Sequence, residues 1–237
     1  MGGETAATEA VSGGGDEGPP AGVGADFESR GLERLALFSD AVIAIAITLL
    51  AIELPVPGGD TPARLWASVR HEDGHYAAFL ISFLVIAAAW GDHHDLFRCL
   101  ARIDPRLRTL NSAWLLMVIL TPFATRALTV RGHADLDAHA LRFGFYALLQ
   151  VLDSALMLAM VRHMKARRLA PDTPPSVSAK ITHESYALML GFGLSIPLLF
   201  AVPYAWVLWL LIPLASHWTR RVRLNEQRRP PRRPAGG

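Results

Sequence analysis

The residues best suited to do chemistry stand at the start of the first long apolar stretch of the chain. In RLALFSDAVIAIAITLLAIEL, from Arg34 to Leu54, Ser39 and Asp40 precede twelve uncharged residues. Asp40 lies six positions beyond Arg34, which is about 9 Å along a helix. In a membrane this places Asp40 at or just inside the inner boundary, where a carboxylate is costly and indicates a functional residue with a partner. The alternative is an interfacial aspartate that neighbouring helices satisfy.

Four consecutive polar residues, Asp92 to Asp95, close the second apolar stretch and could suggest a metal site. Adjacent side chains point about 100° apart on a helix, however, and helical zinc pairs prefer the spacing i, i+4. The pattern therefore argues against a bound metal. Trp90 and His94 do stand at i, i+4, so they share one face of the predicted helix at the inner depth of Asp40.

The third apolar stretch brings Asn111 into the same layer, shortly after Arg108. We therefore predict a polar cluster that joins three helices, with the imidazole of His94 donating a hydrogen bond to Asp40. Its members are Ser39, Asp40, His94 and Asn111. The same residue types would suit a membrane-embedded hydrolase with Ser39 as nucleophile, but the sequence indicates no oxyanion donors. We predict that the chain is not an enzyme.

The apolar residues of the first stretch also form a pattern. Ile45, Leu49 and Ile52 are four and three positions apart, so they make one stripe on a helix, and Asp40 points about 140° away from Ile45. Thr48 borders the stripe. By spacing alone, helix packing explains such a stripe better than a pore does, and a threonine in a membrane helix commonly bonds its own backbone.

These residues need elements that can hold them in a membrane. The chain is 51% hydrophobic and only 19% charged, whereas a soluble domain carries about 25% charged residues. A bilayer core about 30 Å thick needs about 20 helical residues, and the sequence predicts an all-α membrane protein with six transmembrane helices. A soluble bundle is disfavoured because the stretches lack a polar face. The stretches are Leu32–Leu54, Tyr76–Phe97, Leu107–Leu128, Ala140–Met164, Ser185–Val202 and Tyr204–Trp218.

Two features of these stretches carry further expectations. The last two are short, and Val202 and Pro203 join them with almost no loop, which predicts a tight hairpin of spanning helices. Asp153, midway along the fourth stretch, is a second intramembrane acid. Its role is open, and a satisfied contact between helices is the simplest interpretation.

The basic residues predict the orientation. Eighteen of the 23 lysines and arginines lie near the start of the first stretch, after the second and fourth stretches, or in the C-terminal tail. Such residues favour the cytoplasmic side, so both termini are predicted to be cytoplasmic. Residues 1–29 and the basic residues 220–237 are predicted disordered tails around a six-helix transmembrane domain at 30–219. The net charge of +2 does not suggest nucleic-acid binding, and a lone cysteine, Cys99, excludes an intrachain disulfide.

The stretch RLALFSDAVIAIAITLLAIELPVP, Arg34 to Pro57, closely resembles the signature of the transmembrane protein 175 family, which comprises the endosomal and lysosomal potassium channel and its prokaryotic homologues. FLISFLVIAAAWGDHHDLF, Phe79 to Phe97, and LNSAWLLMVILTPFATRAL, Leu110 to Leu128, fit as well. A single set of six helices is similar to the prokaryotic branch. One departure is that Ala41 and Ala44 make the first helix slimmer than family versions with Gly-Val-Phe after the acid.

The resemblance implies a homotetramer in the plasma membrane whose first helices line a central, potassium-permeable pore. It places a hydrophobic constriction at Ile45, Leu49 and Ile52, with Thr48 beside the innermost layer as a possible hydroxyl contact. It implies no cofactor and no partner other than lipid, K⁺ and further copies of the chain. It also implies an inner polar network of Arg34, Phe38, Ser39, Asp40, Trp90, His94 and Asn111.

Two other functions are open at this point. A proton-coupled transporter would use Asp40 and His94 as a proton relay, would saturate, and would fail when Asp40 cannot ionise. A channel would pass ions down either gradient. A purely structural membrane protein would pass none.

Overall fold

The computed structural model describes residues 21–130, 136–199 and Trp209, and in this part of the chain all regular secondary structure is helical. Four helices are long and apolar enough to cross a membrane, and they coincide with the first four predicted stretches. This confirms the all-α membrane class. The helices are α1 (Ala21–Ile52), α2 (Pro62–His71), α3 (Asp73–Phe97), α4 (Pro105–Thr129), α5 (Leu136–Arg167) and α6 (Pro175–Leu199).

Two helix boundaries differ from the predictions, and one helix was not predicted. Helix α1 begins at Ala21, inside the segment assigned to the N-terminal tail. Helix α2 was not expected, because it is only ten residues long and not apolar; Thr61 caps it by accepting a hydrogen bond from the Arg64 amide at 3.3 Å. Helix α6 begins at Pro175 rather than Ser185. Its first turns are polar, so hydropathy does not mark them, and tertiary ion pairs stabilise them instead.

The predicted sixth stretch lies outside the described residues apart from Trp209, and so do the hairpin at Val202 and Pro203 and the basic C-terminal tail. The indole of Trp209 stacks on Tyr146 of α5, with ring centroids 4.9 Å apart, and is buried. This contact places one residue of that stretch against α5.

Two local features position the end of the bundle that holds the α3–α4 and α5–α6 connections, which we call the inner end after the predicted orientation. Asp104 begins α4: its Oδ1 accepts a hydrogen bond of 2.7 Å from the Leu107 amide, and Pro105 follows at the first helical position, where its missing N–H costs nothing. The amide of Ala101 donates to the Leu169 carbonyl at 2.9 Å. The α3–α4 and α5–α6 connections therefore meet at the same end of the helices.

The main apolar core lies between α1, α3, α4, α5 and α6. Its largest fully buried members include Ile43 of α1, Trp114 of α4, Met160 of α5 and Ile181 of α6. A second cluster surrounds Tyr146 nearer the other end. Helix α1 contributes one face to the main core, and this divides its residues into two groups.

Candidate pore face and inner polar network

Helix α1 has two apolar faces with opposite environments. Ile43 and Leu50 are 1% and 2% exposed and belong to the main core. Ile45 and Ile52 are 60% and 75% exposed, and Leu49 lies with them on the exposed side. The predicted stripe is therefore the face of α1 that its own subunit leaves uncovered, and it does not pack against the other described helices.

Thr48 lies on the exposed side as well. Its hydroxyl donates a hydrogen bond of 2.8 Å to the Ile45 carbonyl, which is the backbone bond expected of a threonine in a membrane helix. The hydroxyl hydrogen is thereby used, while the oxygen keeps acceptor capacity.

A chain of buried hydrogen bonds joins α3, α4 and α1 at the inner end. Nε2 of His93 lies 2.8 Å from Oδ1 of Asn111, and Nδ2 of Asn111 donates to Oγ of Ser39 at 3.0 Å. The Ser39 hydroxyl donates to the Leu35 carbonyl at 2.9 Å. Because a carbonyl oxygen only accepts, the His93 Nε2 carries the proton in this arrangement. Ser39 and Asn111 are fully buried, so this chain satisfies groups that water cannot reach.

The histidine in this chain is His93 and not the predicted His94. Its ring is held between Trp114, at a centroid distance of 4.6 Å, and Phe97, at 3.9 Å. Spacing alone does not select between the two histidines, because Ala89 and His93 follow Ile86 at i+3 and i+7 while Trp90 and His94 follow it at i+4 and i+8. In the structure Ile86 is buried and His93 lies on its face of the helix. His93 therefore continues the core face of α3.

Asp40 forms a second contact between α1 and α3, closer to the surface of the subunit. The indole N–H of Trp90 donates to Oδ1 of Asp40 at 2.9 Å, whereas the sequence predicted His94 as the donor. The ring of His94 packs against Trp90 at a centroid distance of 5.7 Å. The predicted network thus divides into a buried chain through Ser39 and Asn111 and a more exposed group at Asp40. The remaining predicted members, Arg34 and Phe38, are exposed in the single subunit.

An ion-pair cluster that the sequence analysis missed joins α3 to α6. The ammonium of Lys180 lies 2.9 Å from Oδ1 of Asp92 and 2.9 Å from Oδ2 of Asp95. The predicted topology placed Lys180 in a connection, because hydropathy does not indicate that α6 starts before it. The i, i+3 spacing of the two aspartates, which brings them to one face of α3, is the signal that was available.

The inner connections contain a further charged contact. Oδ2 of Asp104 lies 2.7 Å from Nε2 of His163 on α5. Partial burial of Asp104 raises the pKa of its carboxyl. The hydrogen bonds from the Leu107 amide and His163, and the charges of His163 and Arg167, outweigh burial and lower this pKa below its usual range. The ionised form of Asp104 thus caps α4 and anchors α5.

The opposite end of α1 is tied to its neighbours by two contacts. Arg126 of α4 donates to Oε1 of Glu53 at 3.1 Å, and the Tyr76 hydroxyl donates to the Pro55 carbonyl at 2.8 Å. Helix α1 is therefore fixed at both ends while its exposed face lies between them.

Asp153, the second intramembrane acid, is buried on α5 beside the indole of Trp114. One turn earlier, the amide of Gln150 donates to Oγ1 of Thr121 at 3.4 Å. These contacts join α4 to α5, and the role of Asp153 itself stays a prediction. No group of three His, Cys, Asp or Glu side chains that could hold a metal ion occurs in the residues that the structure describes.

Comparisons with known proteins agree with this architecture. The family described as "Endosomal/lysosomal potassium channel TMEM175" matches residues 34–122, which contain the α1 stripe and the inner network. A protein named potassium channel from Streptomyces collinus is 34% identical over 169 residues, covering 70% of this chain and 82% of that protein. The endosomal/lysosomal proton channel TMEM175 of Danio rerio is 30% identical over 91 residues, 38% of this chain and 18% of that protein.

A solved structure extends the likeness to the fold. The crystal structure of a lysosomal potassium-selective channel TMEM175 homolog from Chamaesiphon minutus matches with a TM-score of 0.61 at 26% identity, covering 79% of this chain and 98% of that chain. Its match thus extends beyond the residues that the family profile covers. With four helices able to cross a membrane and more than four fifths of the Streptomyces protein covered, the chain is a multi-pass membrane protein that belongs to the TMEM175 family of ion channels.

Proposed function

We propose that this protein is a passive, potassium-permeable channel, assembled as a homotetramer in which α1 of each subunit lines a central pore. The observation that carries the proposal is the exposed apolar face of α1. Of its most apolar window 22% is buried, against 28% for α3, 39% for α4 and 56% for α5. The least buried of these four described spans is thus the one that carries the stripe, and other copies can pack beside it. The potassium-channel names of the relatives support K⁺ as the permeant ion.

In this proposal Ile45, Leu49 and Ile52 form successive rings of aliphatic side chains. An apolar constriction stops ions by dewetting when it is narrow and admits them when it is slightly wider. Potassium sheds its hydration water at lower cost than sodium, so a dehydrating constriction favours K⁺ without strong ligands. Because the Thr48 hydroxyl already donates to the Ile45 carbonyl, its oxygen can accept the cation, once per subunit.

The inner polar network would set the position of α1 rather than carry ions. The buried chain from His93 through Asn111 to Ser39 and the Trp90–Asp40 contact join the inner half of α1 to α3 and α4. A helix held by directional hydrogen bonds keeps its rotation about its own axis, so the same residues face the pore in every subunit. Arg34 and Phe38, exposed in one subunit, would contact the next copy.

The alternative of a proton-coupled transporter has less support from the geometry. Its relay would pass a proton between Asp40 and His94, yet Trp90 contacts both of these residues. An indole N–H donates a hydrogen bond but has no acceptor site, so it cannot pass a proton onward. We infer that Asp40 orients α1 and does not carry protons in a transport cycle.

The test is potassium flux from liposomes that contain the purified full-length protein, with wild type compared to Ile45→Asn. Ile119→Asn, on the exposed side of α4, is the matched control, since it adds the same polar group to another exposed apolar position. We expect wild type and the control to discriminate K⁺ from Na⁺ and Ile45→Asn to lose this selectivity. Flux that Ile45→Asn leaves unchanged would move the pathway away from α1. A folded protein of other than four subunits, measured by native mass spectrometry, would contradict the proposed assembly.

We also propose that both termini face the cytoplasm and that the channel resides in the plasma membrane. The basic residues of the α3–α4 connection and of the end of α5 lie at the end of the helices that also holds Arg30 and Arg34 of α1, which is the arrangement that the positive-inside rule favours. Cys99, the one cysteine of the chain, lies in that α3–α4 connection and is partly exposed. A membrane-impermeant maleimide should label Cys99 in inverted vesicles and not in intact cells; the reverse result would invert the topology.

A further inference from the structure

A cavity of about 410 Å³ lies at the inner end of the helices, where α5 ends and α6 begins. This volume is within the range of about 300–1,000 Å³ that is common for ligand sites. The cavity is separate from the α1 face and from the inner polar network. Its depth is apolar, formed by Leu96 of α3 and by Val161 and Met164 of α5.

The entrance of the cavity is positively charged. Lys165 and Arg168 line it, both are exposed, and the described lining residues include no carboxylate. Ser178, in the first turn of α6, also lines it. The 25-residue helix α6 starts at Pro175, so the positive end of its dipole lies at this site and favours an anion further.

The side chain of Thr173 also lines the cavity. Oγ1 of Thr173 is buried and has no hydrogen-bond partner among the described residues. Buried polar atoms nearly always have a partner, so this hydroxyl is available to a polar group that binds beside the two cations.

The backbone at Arg168 is also unusual. Its φ of +51° is the one positive value found at a non-glycine residue in the part of the chain that is described. Arg168 follows α5 directly, and the Leu169 amide closes the turn on the Met164 carbonyl at 3.0 Å. Glycine or asparagine is the usual residue at such a helix end. The left-handed conformation costs an arginine folding free energy that a glycine would not lose. The arginine nevertheless provides a guanidinium at the cavity entrance.

We propose that this cavity binds the phosphate group of an anionic membrane lipid, with Lys165, Arg168 and Thr173 contacting the phosphate and the apolar depth receiving part of an acyl chain. A free phosphate ion would share the polar chemistry but would leave the apolar lining unused. Basic pockets between transmembrane helices at the cytoplasmic side have the properties that anionic headgroups require. The site does not depend on ion conduction, so it can be tested whether or not the channel proposal holds.

The experiment is native mass spectrometry of the detergent-solubilised full-length protein, titrated with phosphatidylglycerol or phosphatidylcholine. We expect preferential binding of phosphatidylglycerol, with affinity reduced about fivefold by Lys165→Gln or by Arg168→Gly and roughly 30-fold by both. Arg98→Gln with Arg106→Gln is the control, since it removes two exposed cations at the same end of the helices but outside the cavity. We expect this control to bind phosphatidylglycerol as wild type does.

Three results would overturn the proposal. An equal loss in the control pair would mean that general charge attraction, and not this cavity, binds the lipid. Equal binding of phosphatidylcholine, whose phosphate is balanced by a choline cation, would show that the net negative charge of the lipid has no role. Displacement of phosphatidylglycerol by inorganic phosphate alone would assign the site to the free ion. Arg168→Gly should melt at or above the wild-type temperature in phosphatidylcholine. If it unfolds instead, Lys165→Gln, which leaves the backbone conformation at Arg168 unchanged, still decides the question.

Discussion

The indole N–H of Trp90 donates a hydrogen bond of 2.9 Å to Oδ1 of Asp40, and this contact joins α3 to the inner half of α1. Asp40 is half-buried and Trp90 is more exposed, so the contact lies at the edge of the subunit, beside the face of α1 that we propose to line the pore. It holds the position of that face through a single donor and a single acceptor.

Replacing Trp90 by phenylalanine should weaken the attachment of α1 to α3. Trp90→Phe keeps an aromatic ring for His94 but removes the donor, and a hydrogen bond to a half-exposed carboxylate contributes about 1 kcal/mol. We expect a loss of that size in unfolding free energy, measured by chemical denaturation in detergent micelles. Trp66→Phe, on the exposed helix α2, should change little. A double-mutant cycle with Asp40→Asn that shows no coupling would mean that the contact does not stabilise the protein.

Replacing the two neighbouring histidines should have very different effects. His93→Leu leaves Oδ1 of buried Asn111 without its partner and removes the stacking on Trp114 and Phe97, so we expect a loss of about 2–3 kcal/mol. His94→Leu changes an exposed side chain and should stay within about 0.5 kcal/mol of wild type. Thermal unfolding of both variants in the same detergent checks this. Equal losses would contradict the placement of His93 in the core.

Removing the Thr48 hydroxyl should lower ion selectivity without unfolding the protein. Thr48→Val keeps the shape of the side chain but offers no oxygen to a cation, so we expect the K⁺/Na⁺ permeability ratio, taken from reversal potentials, to fall severalfold. Thr48→Ser should retain it. Thr109→Val is a matched control, because the Thr109 hydroxyl also donates to a backbone carbonyl, that of Pro105 at 3.0 Å, but in the first turn of α4. An unchanged ratio in Thr48→Val would exclude the hydroxyl contact.

The Asp104 carboxylate should make stability depend on pH on the acid side. Since its pKa is lowered in the folded protein, ionised Asp104 contributes stability above the unfolded value of about 3.9. That contribution is lost as the pH falls through the still lower folded pKa. Asp104→Asn keeps a good helix cap but removes the charge. We expect Asp104→Asn to be less stable than wild type at neutral pH and to show a smaller stability loss on acidification in detergent melts. Parallel pH profiles would show that the ionised carboxyl adds no stability.

Local sequence was sufficient for the helical spans and for the depth of the polar residues. The thickness of a bilayer sets the length of an apolar run that can cross it, so the first four spans can be identified without knowing their neighbours. The 3.6-residue period likewise places Ile45, Leu49 and Ile52 on one face. Asp40 and Asn111 were predicted to lie in one layer because each follows, by a few positions in the sequence, a basic residue that borders the membrane.

The tertiary structure decided which side of each helix faces a neighbour. His93 and His94 differ by about 100° around α3, and only the packing of α3 against α4 selects His93 as the partner of Asn111. The donor to Asp40 and the start of α6 were decided in the same way, by Trp90 across the α1–α3 interface and by Lys180 between Asp92 and Asp95. Hydropathy and spacing describe one helix at a time, whereas hydrogen bonds and ion pairs between helices depend on the rotation of both.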